Sequence, residues 1–386
     1  MIINKLQNFS INFPGKLVFG NGSLARLPDE IISLGCKNVF LVSIEPLLPA
    51  LYDFIKALKL NNIAVFINTA IKQEPTFNDF ETLLQEAKAI DPDIIIGIGG
   101  GSVLDIAKLI AAQLDNHQPL AAIVGIGLLK GRGTKLVCVP ATSGTGSEVS
   151  PNAILVDDAD GQKKGIISPW LVPDVVYVDP LLTISVPPAI TAATGLDALT
   201  HCLEAYTNKF SQPFIDMYAY EGMRLIAANL VKAVKNGADE DARSQVAMGS
   251  LLGGFCLGPV NTAGVHALSY PLGSTFHLAH GLSNALLLPY VMEFNLPSAP
   301  ARYADVAIAL GCERAASDTE TAKRGIEKVR ELIAECDIAA RLRDVNIPAD
   351  AIPVMAKDAL KIQRLLKNNP RHISEEDAIF IYNEAY

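Results

Sequence analysis

The sequence predicts two domains, an α/β domain built on a parallel sheet over residues 1–187 and an all-helical domain over residues 188–386. Three observations carry that expectation. Short, almost wholly apolar runs alternate with helix-length segments through the first half. A proline pair at Pro187 and Pro188 then closes that pattern, and the segments beyond it are helical in spacing.

In the first half, "NVFLVS" (Asn38 to Ser43), "NIAVFIN" (Asn62 to Asn68), "DIIIGIG" (Asp93 to Gly99) and "KLVCVP" (Lys135 to Pro140) read as buried strands, because they lack the polar alternation of a half-exposed strand. "FNDFETLLQEAKAI" (Phe77 to Ile90) is a helix between two of them. After "DPLLTISVPP", the stretches "ITAATGLDALTHCLEAY", "SQPFIDMYAYEGMRLIAANLVKAV", "TAKRGIEKVRELIAEC" and "SEEDAIFIYNEA" carry the helical period.

With 386 residues the chain has room for two domains of ordinary size. Its net charge of -9 and pI near 5.2, with no cluster of Lys and Arg, argue against a nucleic-acid partner. No apolar run approaches the roughly twenty residues that span a bilayer, so no membrane partner is expected. The opening stretch, MIINKLQNFSINFPGKLVFGNG, lacks the pattern of a secretory leader and reads as mature sequence. Six scattered cysteines without a C-x-x-C pair suit a reduced, cytoplasmic setting.

Two turns are built for a ligand. "GIGGGSVLDIAK" (Gly97 to Lys108) follows a strand and opens a helix, so that glycines allow close backbone approach and the helix start offers amides to an anion. Gly97-x-Gly99-x-x-Ser102 ends in serine and lies near residue 100, unlike the usual dinucleotide fingerprint, and a ligand-free tight turn is the alternative. "PATSGTGSEVSPN" (Pro140 to Asn152) crowds hydroxyls and amides at the end of another strand. Strand ends on one edge of a parallel sheet form the crevice where such folds hold ligands, and two polar turns there favour a nucleotide.

The helical half holds the second constellation. In "TGLDALTHCLEAY", Asp197 and His201 stand one turn apart on the same face of an apolar helix. Left unpaired there, they would cost several kcal/mol. His266 and His280 sit in apolar, glycine-bounded stretches further on, and the four together form a donor set for a divalent cation: zinc, ferrous iron, manganese or cobalt. The alternative is a buried ion pair plus ordinary core histidines. His117 and His372 lie in polar surroundings, whereas His277 precedes His280 by three residues, within reach of a proton at such a centre.

"GGGSVLDIAK", "PATSGTGSEV", "TGLDALTHCLEAY" and "HALSYPLGSTFHLAHGLSNALLLP", in that order and spacing, resemble the iron-containing alcohol dehydrogenase family, and the resemblance runs from Phe19 to Tyr382. It implies a Rossmann-like dinucleotide-binding α/β domain followed by a helical metal-binding domain, and a homodimer or higher homo-oligomer. Carried over by motif, the metal ligands fall on Asp197, His201, His266 and His280, with Fe2+ first and Zn2+ the alternative. The cofactor contacts fall on Gly99, Gly100, Ser102 and Asp105, and on Thr142, Ser143, Thr145 and Asn152. A lysine beside the nicotinamide ribose falls on Lys163, with Lys164 adjacent.

Two positions depart from the family pattern. Ile44 stands where members commonly carry an aspartate that binds the adenosine ribose, with Glu45 next, so NAD and NADP both stay open. Tyr270 stands where many members have a histidine beside the metal, which leaves proton relay to His277 or to ordered water. The implied activity is interconversion of an alcohol and a carbonyl on a small-molecule substrate, with hydride passing to or from nicotinamide and the metal as Lewis acid. Leu251, Phe255 and Leu257 read as substrate pocket or as core. The rival enzymes are dehydroquinate synthase-like and glycerol dehydrogenase-like relatives of the same fold, or an oxidoreductase of a sugar-type hydroxyl. The rival from another class is a nucleotide-binding protein without chemistry, which would have no reason to keep four metal ligands.

Overall fold

The computed structural model describes residues 8–386, so the first seven residues of the opening stretch read as mature sequence lie outside the described residues. The chain divides into two compact units: residues 12–142 with 146–185, and residues 143–145 with 186–386 and the described residues before 12.

The first unit is built on nine strands and four α-helices. In chain order these are β1 (Lys16–Phe19), α1 (Leu27–Ser33), β2 (Asn38–Val42), α2 (Tyr52–Leu60), β3 (Ala64–Asn68), α3 (Phe77–Ile90), β4 (Ile94–Gly99) and α4 (Gly101–Gln113). They are followed by β5 (Gly125–Ile126), β6 (Lys135–Pro140), β7 (Asn152–Val156), β8 (Lys163–Ile167) and β9 (Val175–Val178). Six strands form one sheet in the order β1-β9-β6-β4-β2-β3, every pair parallel.

Alternate residues of the central strands enter separate cores. Phe40, Val42 and Ile95 pack with Leu83, Ile106 and Ile110 of α3 and α4, while Val39, Leu41, Ile94 and Ile96 pack with Leu27, Ile31 and Phe54 of α1 and α2. Burial on both faces is why these strands read as continuous apolar runs. Each such side chain contributes roughly 1.5–3 kcal/mol relative to exposure. The run at β3 differs from expectation: Phe66 and Ile67 are each 40% exposed, because β3 closes the sheet and has a neighbour along one edge. Thr76 and Asp79 form a reciprocal capping box that starts α3 where the sequence begins its helical period.

A second, three-stranded sheet, β5-β8-β7, was not legible in the sequence. Its β7 and β8 pair antiparallel, with Val156 opposite Lys163 and Leu155 opposite Lys164. Adjacent residues of a strand face opposite sides, so this pairing separates the two candidate lysines.

The second unit is helical: α5 (Pro188–Thr207), α6 (Pro213–Lys235), α7 (Glu240–Cys256), α8 (Gly264–Phe276), α9 (His280–Asn295), α10 (Pro300–Ala309), α11 (Asp318–Glu335), α12 (Ile352–Leu360), α13 (Gln363–Leu366) and α14 (Glu375–Glu384). Prolines occupy the first turns of α5, α6 and α10, where their missing N–H costs nothing. Asp239, Ser317 and Ser374 cap α7, α11 and α14 by accepting from backbone amides. One extended core joins these helices, and Leu251, Phe255 and Leu257 are all buried. No described helix is long and apolar enough to cross a membrane.

The packing of α9 on α5 depends on one glycine. A Cβ placed on Gly281 would stand 2.2 Å from the Ala193 carbonyl oxygen, a backbone atom that cannot rotate away. Gly281 follows His280 directly, so this contact also fixes that histidine against α5. Gly281→Ala is expected to destabilise the fold by about 1–3 kcal/mol through overpacking and to lower the midpoint of thermal unfolding by several degrees, read by calorimetry.

Candidate metal centre and cofactor turns

Helix α5 is buried along most of its length, which is where Asp197 and His201 stand one turn apart. Helix α8 brings in His266 and the first residue of α9 brings in His280. The Nε2 atoms of His201, His266 and His280 lie 3.6, 3.5 and 3.7 Å from Asp197 Oδ1. These separations are too long for hydrogen bonds, yet they suit neighbouring ligands of one cation with bonds of about 2.0–2.2 Å. Asp197, His201 and His266 offer donor atoms that all lie within 4.8 Å of one another. The His201 and His266 rings stack with centroids 4.8 Å apart.

Electrostatics agree with that geometry. Burial opposes charge on Asp197, but the surrounding imidazoles, His201 foremost, hold its carboxyl well below the usual carboxylate range. Burial pushes the His201 imidazole down, against the pull of Asp197. Burial also opposes charge on His266, yet Glu204 and Asp197 outweigh it and push that group up to about 10. A cation entering this cluster displaces a proton from such a group.

Glu204 is the residue that sequence reasoning missed. It lies on α5 seven residues after Asp197, 3% exposed, and accepts from His266 Nδ1 at 2.7 Å and from the amides of Ala263 and Val265 at 2.9 and 2.6 Å. Holding Nδ1 as the donor leaves the Nε2 lone pair of His266 directed at Asp197. Asn284 was missed as well. Fully buried one turn after His280, it donates from Nδ2 to Asp197 Oδ1 at 2.7 Å, and that nitrogen also lies 3.1 Å from His266 Nε2 and 3.3 Å from His280 Nε2. Helical spacings of seven and four from recognised residues were the available signals.

The donor chemistry fits a divalent cation. Once an entering cation has displaced the His266 proton, three neutral imidazoles with the Asp197 and Glu204 carboxylates leave two negative charges in a buried cluster, which a dication balances. Among the described residues, the buried side-chain polar atoms without a hydrogen-bond partner are Gln113 Nε2, Asn152 Oδ1, His201 Nδ1 and Asn284 Oδ1. Two of these belong to residues of this cluster and a third to a residue of the second turn.

The other sequence candidates fall as follows. Tyr270 is one turn beyond His266, its ring edge-on to His280 with centroids 6.1 Å apart, and its hydroxyl accepts from Arg364. His277 ends α8 in the left-handed conformation at φ 55°, with its side chain exposed. In the first turn, Gly99 is required by packing, since a Cβ there would stand 2.8 Å from Val103. Gly100 begins α4 with no side-chain cap, so the first helical amides are left to an incoming group. Ser102, Thr142, Ser143 and Thr145 are all partly exposed. Gly144, between the last two, packs against Thr194 of α5.

Asp105 is tied to its own domain. Its Oδ1 accepts from Ser147 and its Oδ2 from the Ile154 amide at 2.9 Å, so both oxygens are engaged inside the fold. Lys108, fully buried, reaches Ser147 at 2.9 Å and the Asn152 carbonyl. This network ties α4 to the second turn and to β7. Lys163 pairs with Glu74, its side chain nearly buried, whereas Lys164 turns to Asp157 and Asp160. Ile44 packs against both cores, and Glu45 beyond it is exposed.

Comparison with known proteins completes the assignment. Residues 14–180 match the family described as iron-containing alcohol dehydrogenase, and residues 191–386 match the Fe-containing alcohol dehydrogenase family, C-terminal. The long-chain-alcohol dehydrogenase 1 of Geobacillus thermodenitrificans is 39% identical over 384 residues, covering 97% of this chain and 96% of that protein. The crystal structure of a 1,3-propanediol oxidoreductase superposes with a TM-score of 0.95 at 33% identity, over 98% of this chain and all of the other. The sulfoacetaldehyde reductase of Bifidobacterium kashiwanohense, solved in complex with NAD+, gives 0.88 at 25% identity, over 99% of each chain. The fold and the buried Asp/His cluster define a two-domain metal-dependent oxidoreductase acting on CH–OH groups. The chain belongs to the iron-containing alcohol dehydrogenase family.

Two outcomes follow. Glu204→Gln and Asn284→Ala are each expected to weaken metal retention by about 10–100-fold, read as metal content after dialysis against graded chelator. The buried Glu148 carboxyl is pushed up to about 7 by burial, with Lys108 partly opposing. Between its ordinary value of 4.5 and about 7, the folded chain therefore holds a proton that the unfolded chain has lost. Stability falls as pH rises through that window, and Glu148→Gln is expected to flatten the fall when unfolding is followed in urea.

Proposed function

We propose that this protein interconverts a primary alcohol and its aldehyde with a nicotinamide cofactor, at one divalent cation held by Asp197, His201, His266 and His280. The observation that carries this reading is the convergence of three imidazole Nε2 atoms on one buried carboxylate oxygen. Ferrous iron is the first candidate and zinc the alternative, since the donor set has nitrogen and oxygen but no thiolate. A cation bound there supplies Lewis-acid polarisation of the substrate oxygen, and the nicotinamide carries the hydride. In the reducing direction the aldehyde, NADH and one proton give the alcohol and NAD+.

The protein's own groups set the rest. Glu204 and Asn284 hold the donors of His266 and Asp197 in place, so little reorganisation is needed when substrate arrives. His280 is the most exposed of the four, at 28% against 3–6% for the others, and substrate approaches past it. Tyr270 borders that histidine, and His277, exposed three residues before it, exchanges the proton with water. The uncapped start of α4 with Gly99, Gly100 and Ser102 takes the cofactor's pyrophosphate. Thr142, Ser143, Thr145, Asn152 and Lys163 take its remaining polar groups, while Asp105 acts by fixing Ser147 and β7. Glu45 remains available to ribose hydroxyls beside Ile44, which favours NAD over NADP. Six unpaired cysteines favour the cytoplasm, and the edge strand β1 favours a homodimer.

Anaerobically metal-loaded protein is expected to oxidise NADH faster than NADPH with a panel of aldehydes. In Asp197→Ala the rate should fall by more than the roughly 10–100-fold that loss of a supporting residue costs. Equal rates in that variant would exclude the metal-dependent reading. His277→Ala should shift the pH–rate profile, and an unchanged profile would remove it from proton exchange.

A further inference from the structure

Helices α8 and α13 place a permanent charge beside the metal cluster. Arg364 on α13 is half-buried, and its Nη2 donates to the Tyr270 hydroxyl at 3.0 Å, with the guanidinium carbon 5.9 Å from the ring centre. Tyr270 in turn lies edge-on to His280, the most accessible of the four candidate ligands. The guanidinium is therefore no more than about 12 Å from the His280 ring.

Among the described residues no carboxylate lies within salt-bridge distance of Arg364, and its hydrogen-bond partner is a neutral phenol. Two other arginines of this unit, one half-buried and one buried, are more fully engaged. Arg302 makes a bidentate pair with Asp216 at 2.6 and 2.7 Å, and Arg243 donates to Thr191, Gly237 and Val186. A guanidinium has five N–H donors in a fork that matches an oxyanion, and one phenol leaves most of the fork unused.

We propose that Arg364 is an oxyanion-recognising group for the substrate, so that the preferred alcohols and aldehydes carry a terminal carboxylate, sulfonate or phosphate. The inference deepens, and rests on, the alcohol–aldehyde reading above. Tyr270 holds one edge of the guanidinium, and the opposite edge takes the acid in a charge-assisted, bidentate pair. With three bonds of extended chain covering about 3.8 Å, the acid group stands at most eight or nine bonds from the reacting carbon. The position that departs from the family pattern at Tyr270 thus serves substrate choice by orienting Arg364.

The test uses metal-loaded full-length enzyme with NADH and matched aldehyde pairs: 4-oxobutanoate against pentanal, sulfoacetaldehyde against propanal, and glyceraldehyde 3-phosphate against glyceraldehyde. At least one acid-bearing member should exceed its neutral match tenfold or more in kcat/KM, and the pair that does so identifies the oxyanion. Arg364→Met should cut that ratio at least tenfold, chiefly through KM, and Arg364→Lys should retain part of it. Metal content and NADH affinity, measured on both variants, separate this effect from misfolding. Preference for the neutral member in every pair, or an unchanged ratio in Arg364→Met, overturns the proposal while leaving the dehydrogenase reading intact. Absence of turnover with all six aldehydes overturns both.

Discussion

One buried carboxylate organises the helical unit. Asp197 Oδ1 has three imidazole nitrogens around it at 3.5–3.7 Å, each too distant to satisfy it by a hydrogen bond, and one amide nitrogen close enough to do so. A charge so deeply buried is stable only with compensation, and the imidazoles provide part of it by keeping the carboxyl ionised. The remainder is the role proposed for a divalent cation. Glu204, Asn284 and the Gly281 contact are understandable as the means of keeping the surrounding donors in register.

The same requirement explains local features of the chain. Helix α5 carries Asp197, His201 and Glu204 along one face, so a single rigid element sets two donors and the group that orients a third. Gly281 lets α9 approach α5 closely enough for His280 to join them. In the α/β unit, Lys108 and Asp105 do comparable work: their buried pairings lash the first turn's helix to the second turn and to β7. The cost is a strongly desolvated acid and base, and the raised Glu148 beside them shows the same strain on charge.

Legibility in the sequence followed burial. The runs at β2, β4 and β6 announced themselves because both faces are covered, whereas β3 is a similar apolar run at a sheet edge with Phe66 and Ile67 exposed. The β7–β8 hairpin escaped notice because β8 starts with two lysines and lacks a strand-like run. Helices α8 and α9 were obscured by Pro271, Pro289 and burial on nearly all sides, which removes the amphipathic signature. Asp197 and His201 were readable from their spacing, and His266 and His280 from residue type and surroundings. Glu204 and Asn284 lay at helical intervals from them but are common residues with no motif of their own. Arg364 reaches Tyr270 through tertiary folding alone, across 94 positions of chain.

X-ray absorption at the iron edge of anaerobically loaded protein tests the central claim most directly, because it reports the atoms bound to the metal without reference to turnover. The account predicts a first shell containing imidazole nitrogen from three residues and one carboxylate oxygen, with any further positions filled by light atoms, and loss of that shell in Asp197→Asn. A shell of sulfur donors, or one of oxygen alone with no imidazole scattering, would contradict it.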